Sequence, residues 1–559
     1  MKHLTVKLFY NCEILTLDQN NSKAEAMAIF QDKILEVGIE NHIRNEINQF
    51  IENYNAKYGY KLELQEQNLG GACVVPGFID AHMHPGFYVY KKTQLDLSRV
   101  KSYAELHTVL QQAHKLRQPG ECIVGLDLIE DTFENLTERH FPDRYALDKM
   151  CLDRPVFIFR HDGHICSVNS IFLKQIGIDS SNVKEMTPES GEIRVDPQGN
   201  PIGIFTEKAA AFVLGAIPIP NSDRLKEAGV EASAELASFG ITTCGVIVQY
   251  GNVGIEGEAG AMVLPLLELF IKEGLIKQDY VFYISTNRPK VLKRIKRSIQ
   301  KLDARENRFV LAGIKTYADG SFGASTACLF EPFADSPDGA TGFMVAKKEE
   351  LHALFKEAYD LGFQIACHAI GDKANRIVVD VFKDIIGEPS NESPRCRIEH
   401  ASLLTDDILT DASNLGIIMV CQPAFINSEY TWLEKRLGSK RLKYTYPFRS
   451  IIDAGIILAG ASDAPVESVN VFKAISACVT RHNLVPEQAI TVMEALRMFT
   501  YNAAYALGQE DIKGSLERGK LADFVVLKQN PEKLPPDQLG NIKILKTYHR
   551  GTQIFQNKT

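Results

Sequence analysis

The 559-residue sequence contains no C-x-x-C pair, no internal repeat, no low-complexity segment and no long apolar run. Its most apolar internal stretch, residues 259–267, contains Pro265 and ends before Glu268, far short of the ~20 residues of a membrane span. It also has no basic run, and 62 Lys and Arg against 70 Asp and Glu give a formal net charge of −8. Nucleic-acid-binding surfaces are typically basic. We therefore expect no nucleic-acid partner and no membrane partner.

The cysteines also lack a pattern that would indicate a disulfide framework. Their number, 11, is odd, and several lie in apolar runs, as Cys244 does. Reduced, buried thiols in a cytoplasmic protein are the simplest interpretation. Near the N-terminus, Lys7 and Glu13 interrupt any signal-peptide core, which also favours a cytoplasmic location. With 45% hydrophobic and 24% charged residues, the composition is that of a globular protein with a large core.

Both ends of the chain have strand patterns. Strand candidates are residues 4–10, 14–17, 26–30 and 34–37 before a helical stretch at 41–58, and residues 523–527 and 545–554 at the other end. A closed barrel would bring the start and the end of the long central region close together, so that both ends of the chain could join one small domain. We therefore predict that residues 1–75 and 505–559 form one composite β-sandwich domain.

Between the two ends, eight apolar strand candidates alternate with helical patterns, which is typical of βαβ units and a parallel sheet. They are residues 77–84, 241–249, 280–286, 311–318, 363–368, 396–400, 417–422 and 456–463. Eight such units predict an α/β fold, a (β/α)8 TIM-like barrel over residues 76–504. A ninth candidate, 155–161, lies in an insertion at about residues 88–228. This insertion follows the first barrel strand, so we expect it to form a cap subdomain.

The strongest local signal is the run PGFIDAHMH at residues 76–84. His82 and His84 are two positions apart, so on a strand both side chains point to the same side. Neutral imidazoles placed in this way suit zinc-like ions. An H-x-H pair can also be an ordinary core or surface pair. Asp80 shares this strand face, and we interpret it as a residue that orients the ligands.

Ionisable groups recur at the ends of later strand candidates. His368, His400 and Asp463 each follow or end an apolar run. Barrel enzymes place catalytic groups at the C-terminal ends of their strands. One such residue could be structural, but several in equivalent positions indicate a metal centre. A metal lowers the pKa of bound water to about 7, and Asp463 could ligate the metal, accept the water proton and pass it to a leaving nitrogen.

Lys315 lies inside an apolar strand candidate, where a charged amine is costly unless it is paired or neutralised. Two interpretations are open. Lys315 forms a salt bridge with Asp319 or another acid, or it is N-carboxylated and its carbamate bridges two metal ions. Burial near cations favours the loss of the lysine proton that carboxylation requires.

These motifs together resemble the metal-dependent amidohydrolase superfamily, and more closely its amidohydrolase-3 branch, which includes N-substituted formamide deformylase. The motifs are PGFIDAHMHP at 76–85, KTYADGS at 315–321, HAIGD at 368–372, IEHAS at 398–402, SDAP at 462–465 and GSLERGKLAD at 514–523. The resemblance covers nearly the whole chain. It implies a hydrolase of non-peptide C–N bonds.

The resemblance also implies roles for individual residues. His82 and His84 would bind a first metal ion, His368 and His400 a second, and a carboxylated Lys315 would bridge them. Asp463 would be the acid/base and could also contact the first ion. The expected cofactor is one or two divalent ions, zinc by default, with iron or manganese as alternatives.

Further positions could contact a small-molecule substrate. They are His161, His164, Glu207, Gln422 and Arg481. The two histidines could instead have helix-capping or core roles, and Arg481 could form a surface or helix salt bridge rather than bind a substrate carboxylate.

The expected reaction is hydrolysis of an amide or N-substituted formamide by a metal-activated hydroxide. The alternatives are a cyclic amide, a deamination substrate or an ester at the same site, a non-catalytic scaffold relative, or a lone structural metal in an unrelated fold. A homodimer is possible, since two-fold symmetry is the commonest oligomeric arrangement.

Overall fold

The computed structural model describes residues 4–59, 61–151, 153–160, 165–188, 191–206, 209–210, 212–213, 216–217, 219–251, 260–302, 308–337, 339–387 and 393–557. The chain divides into two compact units. The first comprises Met1–Tyr88 and Gly229–Thr559, and the second comprises Val89–Ala228. Within the described residues, no helix combines the length and the apolar character that crossing a membrane requires.

The first unit contains a sheet of eight parallel strands. In spatial order they are Phe78–Met83, Ile241–Gln249, Asp279–Ser285, Phe309–Tyr317, Gln364–Ala369, Cys396–His400, Ile418–Cys421 and Leu458–Gly460. The two outermost strands also meet, because the N–H of Asp463 donates to the carbonyl of His82 at 2.9 Å and the N–H of His84 donates to the carbonyl of Ala464 at 2.8 Å. The sheet is therefore a nearly closed TIM-like barrel, and the eight predicted barrel strands are confirmed.

Helices connect these strands. Those that lie wholly in the first unit after the first barrel strand are Val263–Lys272, Val291–Leu302, Lys348–Asp360, Asp372–Ile386, Asp406–Asn414, Phe425–Glu429, Leu433–Leu437, Ser439–Leu442, Phe448–Asp453, Val471–Thr480, Val492–Met498 and Tyr501–Ala506. Gly362 and Gly416 follow two of them with φ of 80° and 64°, a left-handed conformation that favours glycine. Each glycine turns the chain into the next barrel strand.

Apolar side chains fill the interior of the barrel. Ile79, Ile247, Val281 and Ile418 belong to one buried cluster, which also contains alanines of the helix Tyr501–Ala506. Small and branched residues alternate in this cluster, as in the packed layers of TIM barrels. The interior of the barrel is thus largely a packed apolar core.

Strands from both ends of the chain share one eight-stranded mixed sheet. In spatial order it runs Thr552–Gln556, Ile544–His549, Phe524–Leu527, Glu63–Pro76, Thr5–Leu15, Ala26–Phe30 and Lys33–Gly38, with Lys23–Ala24 paired to Thr5–Leu15. The helix Glu40–Tyr58 packs on it through Ile43 and Ile47. Two expected strands, 4–10 and 14–17, are one continuous strand. The long strand Glu63–Pro76 was not predicted.

A buried cluster of charges joins the base of the barrel to this terminal sheet. Asp279, the first residue of its barrel strand, accepts hydrogen bonds from Lys513 at 2.6 Å and Arg550 at 3.0 Å, and it lies 2.9 Å from Nε2 of His549. Burial alone would raise the pKa of Asp279, but Lys513 and His549 hold it well below its usual range. The carboxylate is therefore ionised and paired on several sides.

The second unit has its own six-stranded sheet. The strands are Gly191–Val195, Pro201–Thr206, Ile165–Val168, Val156–Arg160, Ile123–Leu128 and Leu95–Asp96, in spatial order. Its helices are Tyr103–Leu116, Arg144–Met150, Ser170–Ile176 and Val183–Met186, while Pro85–Thr93 and Ser222–Ser238 cross the unit boundaries. Phe157 and Ile158 enter two different apolar clusters, so both faces of the sheet are covered. Of these strands only Val156–Arg160 was predicted.

The eleven cysteines are all free, and ten of them are buried. Burial raises the pKa of the Cys73 thiol to about 12, and it has the same direction of effect on Cys244 in the barrel strand Ile241–Gln249. These thiols are therefore protonated and behave as small apolar side chains. The prediction of reduced, buried thiols is confirmed.

Candidate metal centre

Six ionisable residues predicted from the sequence lie at the C-terminal ends of barrel strands. His82, Lys315, His368 and His400 lie on the strands Phe78–Met83, Phe309–Tyr317, Gln364–Ala369 and Cys396–His400. His84 lies just beyond Phe78–Met83, and Asp463 lies just beyond Leu458–Gly460. Because parallel strands end at the same edge of the barrel, residues distant in sequence meet there. All six are buried except His368, whose side chain is 13% exposed.

Asp463 bridges the two histidines of the first strand. Its Oδ1 atom lies 3.3 Å from Nε2 of His82 and 3.2 Å from Nε2 of His84. Oδ1 is buried and accepts no hydrogen bond within the described part of the chain. A buried carboxylate oxygen without a donor, facing two imidazole nitrogens, is costly unless a cation lies among them. The donor set therefore fits a divalent metal ion.

The other two histidines are adjacent to this group. The rings of His368 and His400 have their centroids 4.4 Å apart, and the ring of His82 is 5.2 Å from that of His400. Burial, followed by the charge of Lys315, lowers the pKa of His368 to about 3. Burial and the neighbouring His368 also lower the pKa of His400. Both imidazoles are thus neutral near pH 7, the form that binds metals.

Hydrogen bonds hold three of the histidine rings and leave one nitrogen of each toward the centre. Nδ1 of His400 contacts Oε1 of Gln422 at 2.8 Å, and Nε2 of His368 contacts the carbonyl of Gly320 at 2.9 Å. Nδ1 of His82 contacts Oε2 of Glu399. Since each acceptor requires a proton on the nitrogen it faces, the opposite nitrogen carries the lone pair. Such orienting contacts are usual around metal-binding histidines.

Glu399 and Arg397 form a fully buried ion pair behind His82. Nη2 of Arg397 donates to Oε2 of Glu399 at 3.0 Å and to the carbonyl of Ala81 at 2.8 Å. Burial would raise the pKa of Glu399, but Arg397 and then His82 lower it far below its usual value. The sequence reasoning did not identify this pair. Two charged residues alternating with apolar ones in the strand Cys396–His400 were the available signal.

Lys315 is 1% exposed, and its Nζ atom lies 3.4 Å from Nε2 of His82. Burial lowers the pKa of Lys315. Within the described residues it forms no ion pair with Asp319, whose carboxylate accepts backbone N–H groups of Cys328, Ile370 and Gly371 at 2.8 to 3.0 Å. The buried amine therefore faces the candidate metal ligands and not Asp319.

Asp80 ties together the two strand ends that carry the first ligand group. Its carboxylate accepts hydrogen bonds from the N–H of Ser462 at 3.0 Å, the hydroxyl of Ser462 at 2.5 Å and the N–H of His82 at 3.2 Å. His400 and Asp463 have φ of 71° and 58°, in the left-handed region that residues other than glycine seldom adopt. Non-glycine residues in such conformations cluster at functional sites.

A cavity of about 900 Å³ opens onto these residues, and its described lining lies entirely in the first unit. His84, Lys315, His368, His400 and Asp463 line it together with several aromatic side chains. The volume is that of a small-molecule site.

The structure places the five predicted substrate-contacting residues differently from one another. His161, His164 and Glu207 lie outside the described residues. Gln422 is buried against His400. Arg481 is fully buried, and its guanidinium donates to the carbonyls of Tyr446, Thr445 and Leu484 at 2.8 to 3.2 Å. Arg481 thus supports the segment that carries Tyr446, and it is not among the described residues that line the cavity.

The barrel, the ligand set at its strand ends and the cavity together define a metal-dependent hydrolase acting on small molecules. Comparison with known proteins agrees with this class. The model of the amidohydrolase family, in its amidohydrolase-3 branch, matches residues 65–555. The chain belongs to this family, and it is a hydrolase of non-peptide C–N bonds, as the sequence resemblance implied.

Individual relatives match along nearly their whole length. N-substituted formamide deformylase of Arthrobacter pascens is 26% identical over 98% of this chain and 98% of its own. The Bacillus subtilis protein YtcJ, provisionally named an amidohydrolase, is 29% identical over 90% of this chain and 93% of its own. An uncharacterized metal-dependent hydrolase from Pyrococcus furiosus has a similar structure, with a TM-score of 0.73, 27% identity and coverage of 94% of this chain and 100% of that one.

Proposed function

We propose that this chain hydrolyses small N-substituted amides, formamides included, with Asp463 as the acid/base. The observation that carries the proposal is the position of Asp463 Oδ1 in the wall of the cavity, 3.2 Å from Nε2 of His84 and 3.3 Å from Nε2 of His82. Among the described residues, no donor forms a hydrogen bond to this oxygen. The likeness to N-substituted formamide deformylase supports the amide as the substrate class.

The residues that would hold the metal ions are His82, His84, His368, His400 and Asp463, with a carboxylated Lys315 between them. Imidazole and carboxylate donors favour zinc, with iron and manganese as the alternatives. A divalent ion in this position lowers the pKa of a water molecule to about 7 and polarises a carbonyl group. Carboxylation joins Nζ of Lys315 to the carbon of CO2 and releases one Nζ proton.

The protein's own residues then account for the proton transfers. Asp463 accepts a proton from the water whose oxygen bonds to the carbonyl carbon. It returns the proton to the amide nitrogen as the C–N bond breaks, so the products are a carboxylic acid and an amine. Gln422, Glu399 and the Gly320 carbonyl keep the histidine rings in position meanwhile.

The proposal extends to the architecture around the barrel. We propose that residues 1–75 and 505–559 act as one small β-sandwich domain, supported by the sheet that strands from both ends share. We also propose that the insertion at about residues 88–228 acts as a cap subdomain of the 76–504 barrel. The insertion has its own sheet and apolar clusters, and in the sequence it begins shortly after the first barrel strand. A homodimer stays a prediction, which light scattering tests.

The experiment is a hydrolysis panel with the full-length protein loaded separately with zinc, iron and manganese. N-alkylformamides and N-alkylacetamides should release acid and amine in equal amounts. The panel also contains a lactam, an amino-purine and a carboxylic ester of matched size. Turnover of one of these three but of no open-chain amide would replace the proposal with the cyclic amide, deamination or ester alternative.

A further inference from the structure

The cavity contains an acidic side chain that the proposed hydrolysis does not use. Glu429 ends the helix Phe425–Glu429, lines the cavity and is half-buried. Its Oε2 atom accepts a hydrogen bond from the hydroxyl of Tyr446 at 2.6 Å. Its Oε1 atom has no donor in the part of the chain that the structure describes. One oxygen is thus fixed and the other is available to a ligand.

The charges around the cavity are unequal. The described lining contains four acids, Asp319, Glu429, Asp463 and Glu467, and its single lysine or arginine is Lys315. Asp319 is satisfied by backbone N–H groups, while Asp463 and Lys315 belong to the candidate metal centre. Of the remaining acids, Glu429 forms no ion pair with a lysine or arginine among the residues that the structure describes. A substrate carboxylate would therefore be repelled.

The surroundings of Glu429 disfavour its charged form. Burial, opposed by the Tyr446 hydroxyl and assisted by the charge of Glu467, raises the pKa of Glu429 to about 7. A carboxylate whose charged form is disfavoured by burial and by a neighbouring acid gains most from a cationic ligand.

Aromatic rings form much of the same lining. Phe87, Tyr317, Phe322, Phe425 and Tyr446 all contribute to it. Val345 and Val466, which are 57% and 64% exposed, add apolar surface. Aromatic faces attract organic cations and also cover an aliphatic chain. The lining therefore suits a ligand with an apolar body and a positively charged end.

We propose that the preferred substrate is a cationic amide, in which an apolar spacer joins the scissile amide to an ammonium group that pairs with Oε1 of Glu429. Tyr446 is a positioning residue that holds the carboxylate through Oε2. The amide part of this substrate rests on the proposed function, whereas recognition of the cation rests on the cavity alone.

The test compares two probes that resist hydrolysis, N-(4-aminobutyl)methanesulfonamide and the neutral N-pentylmethanesulfonamide, which have the same number of chain atoms. Calorimetric titration of the metal-loaded, full-length protein at pH 8 should show the cationic probe binding at least about tenfold more tightly, as expected for a charged hydrogen bond in a partly buried site. Equal affinities, tighter binding of the neutral probe or binding of neither overturns the proposal.

Variants locate the preference. In Glu429→Gln the cationic probe should bind about as weakly as the neutral probe, so the ratio of the two affinities should fall to about one. The affinity of the neutral probe should not change. Glu434→Gln, at an exposed position on the helix Leu433–Leu437, is the matched control and should change neither affinity. An unchanged ratio in a folded Glu429→Gln protein overturns the proposal, and the comparison of probes on the native chain decides it if that variant does not fold.

A parallel assay keeps this proposal separate from the proposed function. N-(4-aminobutyl)formamide and N-pentylformamide are offered to the same metal-loaded protein. If neither is hydrolysed, formamide hydrolysis fails while the binding result still decides the recognition of the cation. If both are hydrolysed at equal kcat/KM, the proposed function stands and the cationic preference fails.

Discussion

The Oε1 atom of Gln422 lies 2.8 Å from Nδ1 of His400, and both side chains are buried. The amide oxygen can only accept in this contact, so His400 is protonated at Nδ1 and its Nε2 lone pair is available to a metal ion. Contacts of this kind fix the tautomer and the direction of a metal ligand. Gln422, predicted from the sequence as a possible substrate contact, therefore orients a ligand of the candidate metal centre.

Gln422→Leu should weaken metal binding by about 10- to 100-fold, because the His400 ring loses its acceptor. Gln422→Glu keeps an acceptor oxygen at the same reach and should retain affinity within a few fold. Competition with a fluorescent chelator measures both variants. Native affinity in Gln422→Leu would show that His400 does not need this contact to bind the ion.

Asp463→Asn should retain metal, because four histidines still surround the centre, but kcat should fall by about 10²- to 10⁴-fold through the loss of the proton-transfer group. Asp453→Asn, at the exposed end of the helix Phe448–Asp453, is the control and should keep native kcat. Steady-state assays on the most active substrate of the panel measure this difference. Native turnover in Asp463→Asn would exclude the acid/base role.

Asp279→Asn should destabilise the fold by about 3–5 kcal/mol, since buried Lys513 keeps only the more distant carboxylate of Asp523, at 3.4 Å, and Arg550 loses the Asp279 carboxylate. Asp360→Asn removes an exposed carboxylate and should cost less than about 1 kcal/mol. Urea unfolding monitored by circular dichroism measures both variants. A loss below 1 kcal/mol for Asp279→Asn would contradict the structural role of the cluster.

The same carboxylate predicts a dependence of stability on pH. The pKa of Asp279 is held below its usual value in the folded state, so its contribution is complete above the unfolded value of about 3.9 and is lost as pH falls toward the folded value. The difference in unfolding free energy between the native protein and Asp279→Asn should therefore shrink in acid. A difference that grows below pH 4 would contradict this sign.

The affinity of the cationic sulfonamide probe should rise as pH increases from 6 to 8. The probe keeps its charge over this range, while Glu429, whose pKa is raised to about 7 by burial and by the charge of Glu467, becomes ionised. If the cationic probe binds only the ionised form of Glu429 and not the protonated form, its affinity should rise by about tenfold between pH 6 and pH 8. The neutral probe measured in the same titrations corrects for pH effects on the metal. A flat ratio of the two affinities would exclude Glu429 as the partner.

The barrel could be predicted because each of its eight strands lies in a mostly apolar, largely buried run, and these runs alternate with helical patterns. Its site could be predicted for a related reason, since His368, His400 and Asp463 stand out at the ends of such runs. Glu63–Pro76 shows where this signal fails. Residues 63–71 of this strand are mostly exposed and polar and end in two adjacent glycines, so the pairing of the strand with Thr5–Leu15 comes from tertiary contacts rather than a local pattern.

The contacts that hold the ligands were harder to predict, because they join residues far apart in sequence. Gln422 meets His400 across two neighbouring strands, whereas Glu399 meets His82 across the barrel, from strands that are not paired with each other. The same holds for Tyr446, which reaches Glu429 from a separate loop. Sequence patterns identify residue types and faces, whereas these pairings depend on the three-dimensional arrangement of the strand ends and loops.

Metal content per chain tests the central claim most directly, by elemental analysis of protein purified without chelators and of the Lys315→Ala variant. A bridged centre predicts about two divalent ions in the native protein and fewer in Lys315→Ala. Two ions retained in Lys315→Ala would contradict the bridging role. A native protein that binds no ion, even after incubation with zinc, iron or manganese, would contradict the assignment of His82, His84, His368, His400 and Asp463 as a metal centre.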